Sequence, residues 1–211
     1  AWEAGFGDDL LMSRRVVTLD EIVVEDWPDV HSWACLPEVC RYQAWGPNTE
    51  EQTREFVREA AEAWSSDRPR HRFPYIARIG PEAVGMGELY VHSRSRRHGE
   101  IRYVVHPRRW GQGIGTEIGR QLLAHGFDGL GLHRIDATCD PRNTGSSRVL
   151  TKLGMTYEGR LRHTALIRDG WRDSLMFSLL EDEWRAAEQP SETAVGGSLR
   201  APPGRRCHER G

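Results

Sequence analysis

The sequence predicts a mixed α/β domain, a central and mostly antiparallel sheet with helices packed against it. Strand-like runs at residues 73–79, 83–91 and 100–105 are linked only by Gly80-Pro81 and a polar turn at 93–99, too short for helical crossovers. Further along, helical stretches alternate with strands, and Arg168-Asp169-Gly170 marks a closing hairpin. Together these features favour a mixed sheet over a doubly wound one.

Residues 16–24 form the first expected strand. A short helix over 28–36 follows, opened by Pro28, which suits a first helical turn, and ended by Pro37. Thr49-Glu50-Glu51-Gln52 has capping-box spacing, and Phe56, Ala60 and Trp64 recur at i+4, which starts an amphipathic helix there. After the three strands, a glycine-rich turn opens a helix striped by Ile114, Ile118 and Leu122. A strand at 132–139 and a short helix at 143–153 come next, with Val149 and Leu153 inward and Gly154 as the stop. The last two strands cover 155–167 and 171–180.

The 211 residues include 29 basic and 31 acidic side chains, a formal charge of -2, so the surface as a whole is no electropositive field for nucleic acid. Any anion site is local, and the basic run at 94–98 reads as a solvated turn. With no apolar run of about 18 residues and no leader pattern, neither membrane insertion nor secretion is expected. Cys35, Cys40, Cys139 and Cys207 are too scattered for a disulfide framework, which fits a reducing cytoplasm. His31, Cys35 and Cys40 offer three metal-type ligands and no fourth, so core packing, not metal, is expected of them. Residues 1–13 are expected to be an N-terminal extension, 14–187 the domain, and 188–211 a flexible tail. The oligomeric state stays open, a homodimer included.

The stretch that carries chemistry runs Val104-Val105-His106-Pro107-Arg108-Arg109-Trp110-Gly111-Gln112-Gly113-Ile114-Gly115-Thr116. A strand enters a glycine turn that opens a helix. Glycines leave backbone N–H groups unscreened by a Cβ, and a helix start adds partial positive charge, a pairing suited to phosphate or diphosphate. The dinucleotide fingerprint fails, because it wants Gly or Ala where Ile118 or Thr116 stands, and the P-loop fails for want of Gly-Lys-Ser/Thr. A tight turn that binds nothing is the plain alternative.

Taken with Asn143-Thr144-Gly145-Ser146-Ser147-Arg148-Val149-Leu150-Thr151-Lys152-Leu153-Gly154-Met155, this stretch resembles the acyl-CoA-binding core of the GNAT N-acetyltransferase superfamily. The run from Trp110 to Gly115 after the strand from Glu100, and the ending Gly170-Trp171-Arg172-Asp173-Ser174, are similar to the branch of the ribosomal-protein N-terminal acetyltransferases RimJ and RimL. Trp110 stands where the superfamily usually has Gln or Arg, a replacement usual in that branch. The resemblance covers about residues 14–184. It implies the GNAT fold, with acetyl-CoA as co-substrate where the 100–105 strand splays from the 132–139 strand. The backbone of Val104 and Val105 would pair with pantetheine. The amides of Gly111, Gln112, Gly113, Ile114, Gly115 and Thr116 would hold diphosphate beside Trp110, with Arg108 and Arg109 available for the remaining charge. Asn143 would bind CoA or cap its helix, and Ser146 would donate a hydrogen bond to the departing thiolate.

Attack by an amine needs its neutral form, yet an α-amine titrates near 7.7 to 8.0 and a lysine-like amine near 10.4, so a base helps. Glu100 matches the catalytic glutamate of the histone-acetylating branch, although pairing with Arg102 or the 94–97 turn is the bland reading. Glu88 is the second candidate. The RimL-like pattern also carries a glutamate in the final hairpin, where Ala165 stands here. Residues 27–48 and the 168–173 hairpin are expected to wall the acceptor side, with Trp33, Tyr42 and Trp45 lining it or packing in the core. The expected reaction is direct acetyl transfer to a primary amine: a protein N-terminus, or an aminoglycoside, peptide antibiotic or polyamine. A non-catalytic acyl-CoA-binding module is the reading from another class.

Overall fold

The computed structural model describes residues 16–65 and 69–188, so the expected extension and nearly all of the expected tail lie outside the described residues. Strand β1 (Thr18–Glu21) leads through a 3₁₀ turn to helices α1 (Trp27–Ala34), α2 (Pro37–Cys40) and α3 (Glu50–Ser65). Strands β2 (Arg72–Ile79), β3 (Glu82–Ser93) and β4 (His98–Val105) form the expected meander. Helix α4 (Ile114–Ala124), strand β5 (Arg134–Cys139), helix α5 (Thr144–Lys152), the hairpin β6 (Thr156–Ile167) and β7 (Gly170–Leu180), and helix α6 (Glu181–Glu188) complete the order. The seven strands run β1-β2-β3-β4-β5-β7-β6, and β4 with β5 is the parallel pair.

Side-chain alternation divides the sheet into two faces. Leu89, Ile101 and Ile135 pack with Ile118 and Leu122 of α4 on one face, all fully buried or nearly so. On the other, Ile76 and Met86 pack with Val30 and Trp33 of α1 and Val57 and Ala60 of α3. Each large apolar side chain buried this way contributes about 1.5–3 kcal/mol.

Three expectations need correction. The first strand stops at Glu21 because Asp26 folds inward, accepting the Val23 N–H at 2.9 Å and pairing with Arg78, which turns residues 24–26 into a 3₁₀ turn. Pro37 opens a helix instead of ending one: Leu36 is extended (φ -88, ψ 124), as residues before proline prefer, and Pro37 takes the first helical position. Residues 181–187 form a helix although Trp184 is its one large apolar residue. That tryptophan is buried, stacks on Phe127 at 5.7 Å and donates to Asp128 at 3.1 Å.

The site begins where β4 and β5 part. They pair at His98–Arg134, Gly99–Ile135 and Glu100–Asp136, and beyond Glu100 no ladder continues. The His106 N–H donates to Val84 O at 2.8 Å and Val104 lies opposite Met86, so Val104 spends its peptide groups on β3. Tyr103 and Val105, alternating with it, turn theirs into the opening. Gly85 permits this tight crossing, since a Cβ there would sit 2.3 Å from Val104 O and 3.1 Å from Val105 Cα. Both are backbone atoms that cannot rotate away. Gly85→Ala is therefore expected to cost about 2–3 kcal/mol, seen as a Tm lower by roughly 5–10 °C in thermal unfolding. An unchanged Tm would contradict this close approach.

Candidate active site

At the end of β4 the chain closes a short loop on itself. His106 Nδ1 accepts the Arg108 N–H at 3.1 Å, the Trp110 indole donates to Val105 O at 2.8 Å, and Gln112 Nε2 donates to Arg108 O at 3.1 Å. Gly111 (φ 74) and Gly113 (φ 82) then turn the backbone through the left-handed region. Gly113 is the N-cap of α4 and has no side chain to bond the first helical N–H groups. Those amides sit at the wall of a cavity of about 640 Å³, formed between this loop, β4 and the start of α5. Arg148 and Lys152 add positive charge to that wall, and Arg142, paired with Asp140, borders it too. A loop of unscreened amides with two cations in the same wall fits the diphosphate of an acyl-CoA.

A second cavity of about 530 Å³ lies between α1, the 42–48 segment, β3, β4 and the β6–β7 hairpin. The two cavities share Tyr42, Gln43, Tyr103, Val104, Asn143 and Ser146 in their walls. At this junction Ser146 Oγ and Tyr103 Oη are 2.9 Å apart, and the Ser146 N–H donates to Asn143 Oδ1 at 3.0 Å. Burial pushes the Tyr103 hydroxyl up to about 12, so it keeps its proton. Cys139 lines the second cavity, and burial raises its thiol to about 11, which leaves it a poor nucleophile.

Two glutamates line the second cavity. Glu100 receives Arg102 twice, Nε to Oε1 at 3.1 Å and a terminal nitrogen to Oε2 at 2.9 Å, and His92 Nε2 stands 3.2 Å from the same Oε2. Glu88 is buried and pairs with Arg72.

Comparison with known proteins decides what this geometry belongs to. Residues 17–156 match the acetyltransferase (GNAT) domain family. The chain belongs to the GNAT acetyltransferases. It is similar to the uncharacterized N-acetyltransferase YnaD of Bacillus subtilis (strain 168), 30% identical over 173 residues, which cover 82% of this chain and 98% of that protein. Among solved structures it resembles a GNAT-family acetyltransferase from Bacillus anthracis, with TM-score 0.68 and 30% identity over 79% of this chain and 96% of the other. Mycobacterium smegmatis RimJ in complex with CoA-disulfide aligns with TM-score 0.70 and 25% identity, covering 79% of this chain and 83% of that one. The protein is thus an acyl-CoA-dependent N-acetyltransferase.

In this acetyltransferase the expected CoA residues divide. Gly111, Gly113, Ile114 and Gly115 form the loop wall, and Val105 borders the cavity with its carbonyl already accepting from Trp110. Val104 meets the cavity by its side chain, because its peptide groups serve β3. The Thr116 N–H donates to Gly113 O at 3.0 Å and is spent inside the first turn. Arg109 pairs with Glu82, and the Gln112 side chain ties the loop without lining the cavity. Asn143 caps α5, as its side-chain bond to Ser146 shows.

On the acceptor side, Tyr42, Trp45 and Glu88 line the second cavity of the acetyltransferase, and Ala165 and Ser174 join them from the hairpin. Trp33 lines it too, but is fully buried among Val30, Val57 and Ile76, and its indole N–H has no partner. Arg168 ties the hairpin to the aromatic segment by donating to Trp45 O at 3.1 Å and to the carbonyls of Gly46 and Cys40. Of the three metal-type side chains, His31 Nδ1 lies 2.9 Å from Thr53 Oγ1, the buried Cys40 donates its Sγ–H to Ala34 O at 3.3 Å, and Cys35 is half-buried.

Sequence reasoning missed Arg148, Lys152 and Tyr103. The first two follow Thr144 at i+4 and i+8 on α5, a spacing that places all three on one helix face. Tyr103 had no sequence signal, since a tyrosine inside an apolar strand is an ordinary core residue. Among the described residues no helix is long and apolar enough to cross a membrane.

Proposed function

We propose that this acetyltransferase moves acetyl from acetyl-CoA to a primary amine by direct attack, in the manner of the RimJ/RimL-like branch. The observation that carries this reading is the meeting of the two cavities at Ser146: a phosphate-binding loop closes one and carboxylates line the other. The α4 amides with Arg148 and Lys152 hold the diphosphate of acetyl-CoA, and the peptide edge at Tyr103 and Val105 faces its pantetheine. Ser146 Oγ, supported by Tyr103, donates to the thiolate as the carbon–sulfur bond breaks. Glu100 takes the amine proton, directly or through water, and His92 beside it stands 37% exposed at its side chain as a way out to solvent. The hairpin position that carries a glutamate in the RimL-like pattern does face the acceptor cavity, yet here it is Ala165, which leaves the proton to Glu100.

The test is thiol release from acetyl-CoA with primary amines, α-amino peptides included, comparing wild type with Glu100→Gln across pH. Below an α-amine pKa of about 7.7 to 8.0 most acceptor is protonated and the base matters most. The variant is expected to lose about 10²-fold in kcat/KM at pH 6.5, and the deficit should shrink as pH rises and the amine deprotonates unaided. A deficit constant with pH would remove Glu100 as the base. Binding of acetyl-CoA with no release to any amine would favour the non-catalytic module.

A further inference from the structure

We infer that the acceptor carries a single primary amine on an apolar body, and that polycationic amines are excluded. This rests on the acetyltransferase reading above. A polyamine or aminoglycoside brings several ammonium groups, and each needs an uncompensated carboxylate or an open aromatic face to replace its lost hydration. The acceptor cavity holds three carboxylates, Glu88, Glu100 and Asp140, and arginine already holds every one. Arg72 pairs with Glu88, and Arg102 grips both oxygens of Glu100. Arg142 grips both oxygens of Asp140, Nε to Oδ1 at 3.0 Å and a terminal nitrogen to Oδ2 at 2.7 Å, and Arg172 adds its field there.

The faces of Tyr42 and Phe56 are committed in the same way. Arg142 lies over Tyr42 at 5.5 Å, with Arg41 also over it at 5.4 Å, and Arg72 lies over Phe56 at 5.7 Å. A second or third ammonium would therefore sit among guanidinium groups with no free counter-charge. What the wall still offers is apolar: Trp45, which is 36% exposed, with Met86 and Val104 beside it. One amine delivered toward Glu100 and Ser146, with an apolar body covering Trp45, leaves no open aromatic face for a further ammonium.

The experiment follows thiol release by the full chain at saturating acetyl-CoA, with 2-phenylethylamine, the tripeptide Phe-Gly-Gly, spermidine and kanamycin as acceptors. Acetyl-CoA binding is measured in parallel by calorimetry. The better of the first two is expected to exceed spermidine and kanamycin in kcat/KM by at least about tenfold, or 1.4 kcal/mol. Whichever of the two leads shows whether the amine belongs to a small molecule or to a peptide N-terminus. Arg72→Gln frees the Glu88 charge and is expected to raise spermidine turnover relative to 2-phenylethylamine by about tenfold. Spermidine or kanamycin matching the apolar amines in wild type would overturn the inference, whatever the variant does. No release to any amine, with acetyl-CoA bound, would overturn it together with catalysis, and loss of acetyl-CoA binding would overturn the site itself.

Discussion

Replacing Gly113 with Asp is expected to weaken acetyl-CoA binding by about 100-fold, read as Kd by calorimetry. Two costs add. Gly113 sits at φ 82, where a residue with a Cβ is strained by roughly 1–2 kcal/mol, so a substituted loop relaxes out of this conformation when free and repays that cost on binding. An Asp carboxylate at the N-cap also faces the diphosphate, and like charges about 4 Å apart repel by roughly 1–4 kcal/mol between bulk water and a protein surface. Their sum, roughly 2–6 kcal/mol, spans the 2.7 kcal/mol or so that a hundredfold change requires. Crowding by the protein makes no contribution, because a Cβ at Gly113 has nothing within 4 Å. Gly113→Ala separates the two costs: it keeps the strain without the charge, and about tenfold weakening is expected. Unchanged affinity in Gly113→Asp would mean that the diphosphate lies elsewhere.

The second large effect belongs to Ser146. Ser146→Ala is expected to lower kcat by about 10²-fold, the usual loss for one donor aimed at developing negative charge, while KM for acetyl-CoA holds. The helix start survives this change, since Asn143 Oδ1 caps through the Ser146 backbone N–H and not through Oγ. Tyr103 serves the same step at one remove. Its hydroxyl lies 2.9 Å from Ser146 Oγ, and when the tyrosine is the donor of that bond the serine proton is left for the sulfur. Tyr103→Phe should cost about tenfold in kcat and nothing further in the Ser146→Ala background, a non-additivity that two independent residues would not show. Its hydroxyl titrates at about 12, above the usual value, so the donor persists through ordinary assay pH and adds no basic limb to the profile. Full additivity of the two losses would separate Tyr103 from the serine.

The sequence by itself determined the meander of β2 to β4, the glycine loop that opens α4, and the Ser146 helix. Each is written in neighbouring residues: the period of apolar positions, the glycines at 111 and 113, the Asn143 cap three residues before Ser146. Tertiary structure alone decided which peptide edge faces the opening, Val105 and not Val104, because ladder alternation depends on the partner strand. It also decided that Thr116 is spent within its own turn, that Arg109, though it borders the loop cavity, is paired with Glu82, and that Arg148 and Lys152 line the same cavity. Trp33 went to the core and Trp45 to the cavity although both are tryptophans of one segment, since burial is set by what packs above them. The pairing of Glu88 with Arg72 is likewise invisible in the chain, unlike that of Glu100 with its strand neighbour Arg102: Arg72 and Glu88 are sixteen positions apart and meet only because β2 and β3 lie in register. Local patterns specify local conformation and the loops built from it, whereas charge balance and access in a cavity come from residues that only the folded sheet brings together.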